Sequence, residues 1–234
     1  MRLSLALLLG FVLCRPAPAR ALTCAPPPPE PQVLYPQGGV VPRDVVIYLR
    51  PGTTSGRLVL VELGSGREIW LRESAQPGLL RLAPTRLLAA GTRHELRQLA
   101  ELRSRPPLVL ASFHTSQTIH RGGPPSFRRA DLSFTRPQRG SMIRREGRGA
   151  RLSAAADPAP VVLKLQLAFR AGSKWSSTWR TAHAFSTAVR VAATHACDHL
   201  RPVAPRRGRY RLVLVPWGPN GVKGRELRLK GVIR

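Results

Sequence analysis

The feature that most constrains this chain is a rhythm. Between residues 45 and 115, short β-rich runs recur with Gly, Pro or Ser between them. The runs are VVIYLR (45–50), RLVLVEL (57–63), REIWLRE (67–73), Gly78–Leu82, His94–Leu102 and Pro107–Thr115. RLVLVEL alternates, with Leu58, Leu60 and Glu62 on one face and Val59, Val61 and Leu63 on the other. That period of two belongs to a strand. Gly64-Ser65-Gly66 joins RLVLVEL to REIWLRE as a hairpin. Short strands at this spacing predict a sandwich rather than strand-helix-strand units.

One stretch breaks the rhythm. LAPTRLLAAGTRHELRQL (82–99) opens like a helix, meets Gly91 and then alternates. It is predicted to be a corner between strands. Pro84 stops the preceding ladder, Leu87 tucks under the end of the sandwich, and Gly91 permits a tight entry into the next strand. The second half echoes it, with Leu200-x-Pro202, Val203, Gly208 and Tyr210-x-Leu212 matching Leu82-x-Pro84, Leu87, Gly91 and His94-x-Leu96. An aromatic at the start of such a strand fixes the corner by bonding to upstream backbone.

The strand pattern resumes with VVLKLQLAF (161–169), which puts Leu163, Leu165, Leu167 and Phe169 on one side. Residues 175–197 carry both a helical and a strand period, and the threonines at 178, 181, 187 and 194 favour strand. RYRLVLVPW (209–217) and RELRLKGVI (225–233) are strands around a turn at Pro219-Asn220-Gly221. Residues 116–159 have poor periodicity apart from Leu132-Ser133-Phe134. They predict a linker, one edge strand and a long mobile loop.

At these residues the chain resembles bacterial Ig-like domains of the type found in surface-layer and other extracytoplasmic proteins. The likeness covers about residues 33–116. It rests on the Pro/Gly opening Pro36–Pro42, Leu82-x-Pro84, Gly91-Thr92, Leu96 and the closing Phe113-His114-Thr115. His94 stands where the family places Tyr. The second half is a weaker match, at Tyr210–Trp217 and Gly218–Gly221. The resemblance implies spacer or adhesion modules.

The first 21 residues have a different character. Arg2, the apolar run Leu3–Leu13 and the small-x-small Ala19-Arg20-Ala21 make a secretory signal peptide. The run is shorter than the roughly 20 apolar residues that a spanning helix needs. The expected location is the periplasm or the cell surface of a Gram-negative bacterium. Cys14 leaves with the leader, and Cys24 and Cys197 remain. In an oxidising compartment an even count favours a Cys24–Cys197 disulfide, with two free thiols as the alternative. CAPPPPEPQVLYP (24–36) is a stiff lead-in.

The formal net charge is +26, from 38 basic and 12 acidic residues. Only Lys164, Lys174, Lys223 and Lys230 are lysines. A GC-rich genome accounts for such arginine use on solvated faces. A polyanion-binding surface is the second reading. On the second reading the candidate residues are Arg136, Arg139, Arg144, Arg145, Arg148 and Arg151, six arginines with one acid, Glu146, among them. Their guanidinium forks suit acidic polymers and lipopolysaccharide phosphate.

Two smaller constellations stand beside the loop. His195, Cys197 and His199 alternate, so on a strand they share a face and offer metal-ligand chemistry. The competing use of Cys197 is the disulfide. Trp175 and Trp179 flank Ser176-Ser177-Thr178 and suit either sugar stacking or packing. No nucleophile elbow, His-Glu-x-x-His, P-loop or dinucleotide fingerprint is present in the sequence.

The sequence therefore predicts an all-β chain. Two Ig-like β-sandwich domains, 33–116 and 117–234 with an Arg-rich loop at 136–151, follow a signal peptide (1–21) and a Pro-rich segment (22–32). A non-enzymatic structural or interaction protein is expected, with no cofactor or metal. Its partner is an unknown protein or envelope polymer. Small-molecule substrates, nucleic acid and a transmembrane segment are not expected. A basic polyanion- or glycan-binding module is the alternative, and a hydrolase with an unrecognised site is the third class.

Overall fold

The computed structural model describes residues 31–52, 56–100, 106–134, 149–176, 178–192 and 207–234. Every regular element among them is a strand. In chain order these are β1 (Gln32–Tyr35), β2 (Val40–Val41), β3 (Ile47–Arg50), β4 (Arg57–Glu62), β5 (Arg67–Ile69), β6 (Leu71–Gln76), β7 (Leu79–Pro84), β8 (Arg93–Leu99) and β9 (Leu108–Thr115). They continue with β10 (Ser126–Phe134), β11 (Ala150–Asp157), β12 (Val162–Ala171), β13 (Lys174–Trp175), β14 (Trp179–Ala184), β15 (Ala188–Ala192), β16 (Gly208–Trp217) and β17 (Leu227–Ile233). No helix among the described residues is long and apolar enough to cross a membrane.

The strands form four sheets. A first outer sheet has the order β2-β9-β8-β4-β5, and a first inner sheet has the order β1-β3-β7-β6. The second inner sheet runs β13-β12-β16-β17, with β14 also paired to β12, and the second outer sheet runs β10-β11-β15. The all-β sandwich architecture expected from the strand rhythm is what the chain adopts.

Three apolar cores separate the four layers. Ile47, Leu49 and Leu82 of the first inner sheet pack on Leu60, Ile69, Leu96 and Phe113 of the first outer sheet. Leu163, Leu165, Leu167, Leu212 and Leu214 of the second inner sheet pack on Leu132, Leu152, Val189 and Val191 of the second outer sheet. The third core joins the two inner sheets. Leu34, Val46, Tyr48 and Leu79 meet Val162, Ala182, Val215 and Trp217.

The segment around β3 therefore serves two cores. Val45, Ile47 and Leu49 face one way, and Val46 and Tyr48 the other. All five are buried, which is why the run VVIYL shows no polar alternation. Polar bonds lock the same junction. The Tyr48 hydroxyl donates to the Gly218 carbonyl at 2.8 Å, and the Val46 amide donates to Pro219 O at 2.7 Å. Arg50 Nη2 donates to Ala182 O at 2.6 Å. Arg81 lies over the Trp217 ring at 4.3 Å and donates to Gly221 O at 3.1 Å. At the margin, the turn at Gly78 presses on β14, where an added Cβ would stand 2.9 Å from Arg180 O.

The corner at residues 84–94 forms as expected, with one change of residue. β7 ends at Pro84, and Gly91 has φ +66°. The Gly91 amide donates to Thr115 O at 3.0 Å, and the Thr92 amide to Thr115 Oγ1 at 3.1 Å. The tucked residue is Leu88, fully buried, and not Leu87, which is 54% exposed. The backbone crosses Leu88 from a Pro stop rather than from a strand, so the inward side is not set by alternation. The His94 ring bonds to the Thr92 carbonyl at 3.1 Å and stacks on Phe113 with centroids 5.7 Å apart. In the echo, Leu200, Pro202 and Val203 lie outside the described residues. Tyr210 is inside, and its ring packs on Phe134 at 5.2 Å.

Two segments differ from expectation. REIWLRE is not one strand, because the chain leaves the first outer sheet after Ile69 and enters the first inner sheet at Leu71. Trp70 at the break is 76% exposed. Residues 150–157, expected as loop, form β11, the central strand of the second outer sheet. Its inward residues Ala150, Leu152 and Ala154 are mostly small, so its hydrophobic alternation is weak.

Candidate functional site

The residues of interest lie on the second inner sheet. Along β16 the inward positions Tyr210, Leu212 and Leu214 enter the core, which leaves Arg209 and Arg211 outward. Along β17 the inward Leu227, Leu229 and Ile233 leave Arg228, Lys230 and Val232 outward. Leu163, Leu165, Leu167 and Phe169 of β12 face the core, so Lys164, Gln166, Ala168 and Arg170 share the opposite face. The register aligns Trp175 of β13 with Arg170 and Arg180 of β14 with Gln166, which places both on that face.

The first inner sheet covers one half of this face, around Val162, Ala182, Val215 and Trp217. Among the described residues, none covers the other half. There Arg180, Arg209, Arg211, Arg228 and Lys230 are exposed and Arg170 is half-buried. Among the described residues one carboxylate pairs with them, Glu226, which meets Arg228 Nε at 2.6 Å. A cleft of about 400 Å³ runs across the strands, lined by Gln166, Ala168, Thr178, Arg180, Arg211 and Lys230.

The pairing within this face runs against local electrostatics. Arg209 lies directly opposite Arg170, and Arg211 directly opposite Lys230. Like charges in directly opposed positions destabilise a sheet by roughly 0.2–1 kcal/mol per pair. Arg170 and Arg211 are partly eased by Trp175, whose ring centroid lies 6.0 Å and 4.7 Å from their guanidinium carbons. At the buried margin, Lys164 Nζ donates to Gln76 Oε1 at 2.7 Å. Burial holds its ammonium below the ordinary lysine value, and Arg180 and Lys223 push the same way. The face has the chemistry of an anion receptor, with forked donors, excess positive charge and few internal partners.

Of the arginines proposed from the sequence, Arg151 is described and Arg136, Arg139, Arg144, Arg145 and Arg148 lie outside the described residues. Arg151 is exposed on β11, opposite Arg190. It belongs to the outer side of the other sheet and does not join the cationic face. Cys24, Cys197, His195 and His199 also lie outside the described residues. Within them, no group of three or more His, Cys, Asp or Glu side chains is placed to hold a metal ion. Trp175 and Trp179 do not form one stacking platform. They pair with Arg170 and Leu167 of β12, which point to opposite faces. Sequence reasoning missed Arg170, Arg180, Arg209, Arg211, Arg228 and Lys230. The signal was present as cations at every second position of RYR and RLK, on two strands expected to be neighbours.

No protein-family model matches this chain, and no curated protein matches it. Among solved structures it is similar to the FN1-FN3 domains of chicken CNTN1, at 12% identity and a TM-score of 0.27, covering 90% of this chain and 69% of that one. It is also similar to dimeric latent PorU from Porphyromonas gingivalis, at 10% identity and a TM-score of 0.25. That likeness covers 87% of this chain and 20% of the PorU chain.

Proposed function

We propose that this chain is an exported, non-enzymatic interaction protein of the cell envelope, in which the stacked sandwiches act as a rigid support and the cationic half-face of the second inner sheet is the contact surface. The observation that carries this is the opposition of Arg211 to Lys230 and of Arg170 to Arg209 on an open sheet face. A fold that tolerates repulsion at adjacent exposed positions gains when an anion bridges them. The likeness of residues 33–116 to extracytoplasmic Ig-like domains supports the envelope setting.

The test is salt-dependent retention on an anionic matrix. Replacing Arg209, Arg211 and Lys230 with Gln is expected to lower the eluting salt concentration well below that of a control with Arg151→Gln and Arg190→Gln. The control also loses a like-charge pair, but from the opposite side of the sandwich. Equal elution of the two variants overturns the assignment of this face. Export and the Cys24–Cys197 bond belong to the same proposal. Intact mass of the mature protein should show a start at Leu22 and two thiols alkylated only after reduction.

A further inference from the structure

We infer, resting on that reading, that the cationic half-face is a cleft for one kind of partner: a linear, non-aromatic polysaccharide bearing phosphate or sulfate esters. Five of the six cations on the open half-face, Arg170, Arg180, Arg209, Arg211 and Arg228, are arginines, and Lys230 is the sixth. A planar guanidinium fork takes two oxygens of a carboxylate, phosphate or sulfate alike, but a phosphate or sulfate monoester keeps a third oxygen to bridge the opposed cation on the next strand, and a carboxylate has none. Register places these forks in ranks. Arg209 and Arg211 are two positions apart on β16, and Arg228 and Lys230 two apart on β17. Alternate positions on a strand are spaced by about 6.8 Å and neighbouring strands by about 4.8 Å. A chain with an ester group on each sugar or two can engage several forks in succession, and each neutralised charge releases counterions.

The same face disfavours the two other large polyanions. Single-stranded nucleic acid needs aromatic platforms for its bases. Among the described residues, the one tryptophan on the open half of the face, Trp175, is already flanked by Arg170 and Arg211. A bilayer needs a flat or protruding surface. Here the first inner sheet sits on the adjoining half of the face, and sheets pack about 10 Å apart. The open half thus lies at the foot of a step, with the β6–β7 turn at Gly78 against Arg180 and Thr181 forming its wall. A flexible polymer can enter that recess and a planar membrane cannot.

The experiment measures affinity for size-defined heparin oligosaccharides by titration calorimetry, using the full mature chain. The expected result is affinity that climbs with oligosaccharide length, with a steep salt dependence. Arg209→Gln/Arg211→Gln/Lys230→Gln should lose at least tenfold and show a shallower salt slope. These three side chains are exposed, and an unfolding midpoint at or above that of the unaltered chain verifies that the variant is folded, since both like-charge oppositions are relieved. Oligo-dT, polyglutamate and anionic phospholipid vesicles at matched charge are expected to bind at least tenfold more weakly than heparin. If one of them binds as tightly and the triple variant still loses it, the ligand class is wrong while the contact surface stands. If the triple variant binds heparin as well as the unaltered chain does, the surface itself is wrong and both readings fall.

Discussion

The hydroxyl of Tyr48 donates to the carbonyl of Gly218, 2.8 Å away in space and 170 residues away in sequence. Both groups lie in the core between the inner sheets, and burial pushes the Tyr48 phenol far above its ordinary value. Tyr48→Phe keeps the ring and leaves the carbonyl without that donor. The expected cost is about 1–3 kcal/mol. Trp217→Ala removes the ring that meets Tyr48 and Arg81 and should cost about 3–5 kcal/mol. Urea unfolding followed by far-UV circular dichroism checks both. The unaltered chain should unfold in one transition, and Trp217→Ala should separate it into two. A single unshifted transition in both variants would mean that the third core contributes nothing.

Gly78 tests how closely the two inner sheets fit. Its φ is +77°, and an added Cβ would lie 2.9 Å from Arg180 O and 3.0 Å from the Thr181 Cα. Both neighbours are backbone and cannot swing aside. Gly66 has a similar φ of +69° with nothing within 4 Å of its Cβ position. Gly66→Ala therefore carries only the conformational penalty of a left-handed residue, and Gly78→Ala carries that plus a collision. The loss of stability should be larger at Gly78 by more than about 1 kcal/mol. Equal losses would show that the turn lifts away from β14 at little cost.

His94 makes stability depend on pH. Its imidazole is fully buried against Phe113. Burial holds it below the ordinary histidine value, with Arg86 and His114 acting the same way and the Thr92 carbonyl and Glu62 opposing. Above about pH 6.5, the ordinary value, folded and unfolded chains both carry it neutral. As pH falls through that value the unfolded chain binds a proton that the folded chain resists, so stability declines. The urea midpoint should drop between pH 7.5 and 5.0, and His94→Phe should flatten the slope in that window. An unchanged slope would place the titration on other histidines.

Much of the architecture is legible in single residues. Leu163, Leu165, Leu167 and Phe169 alternate without interruption, and all four reach the core. Gly91 and Pro84 mark a corner because few other residues satisfy those backbone demands. The unbroken run Val45–Leu49 also carried its message. Five consecutive buried residues mean a strand covered on both faces, and an ordinary sandwich covers only one. Where the sequence misleads, the physics is local. β11 uses Ala150 and Ala154 to face its core, and alanine gives little hydrophobic contrast. REIWLRE keeps its alternation while crossing between sheets at Trp70, so its pattern has no mark of the break.

The cationic face was half legible. RYR and RLK show alternate cations, and the turn at Pro219–Gly221 announces that their strands are neighbours. The arginines at 136–151 are the more conspicuous feature, because a run of charge stands out along a chain. Charge gathered across a sheet is not, since Arg180 and Arg170 join Arg209, Arg211 and Lys230 only through register.

The third core sets a rule for anyone dividing this chain. A piece ended in the connection at 116–125 would keep both of its sheets but bare Val46, Tyr48 and Leu79, and its counterpart would bare Val162, Val215 and Trp217. Apolar patches of that kind drive self-association. The two pieces are therefore best produced together, as a split protein that reassembles. Changes in the affinity of the halves for one another on substitution at Tyr48 or Trp217 would then report how much each contributes to the contact between the inner sheets.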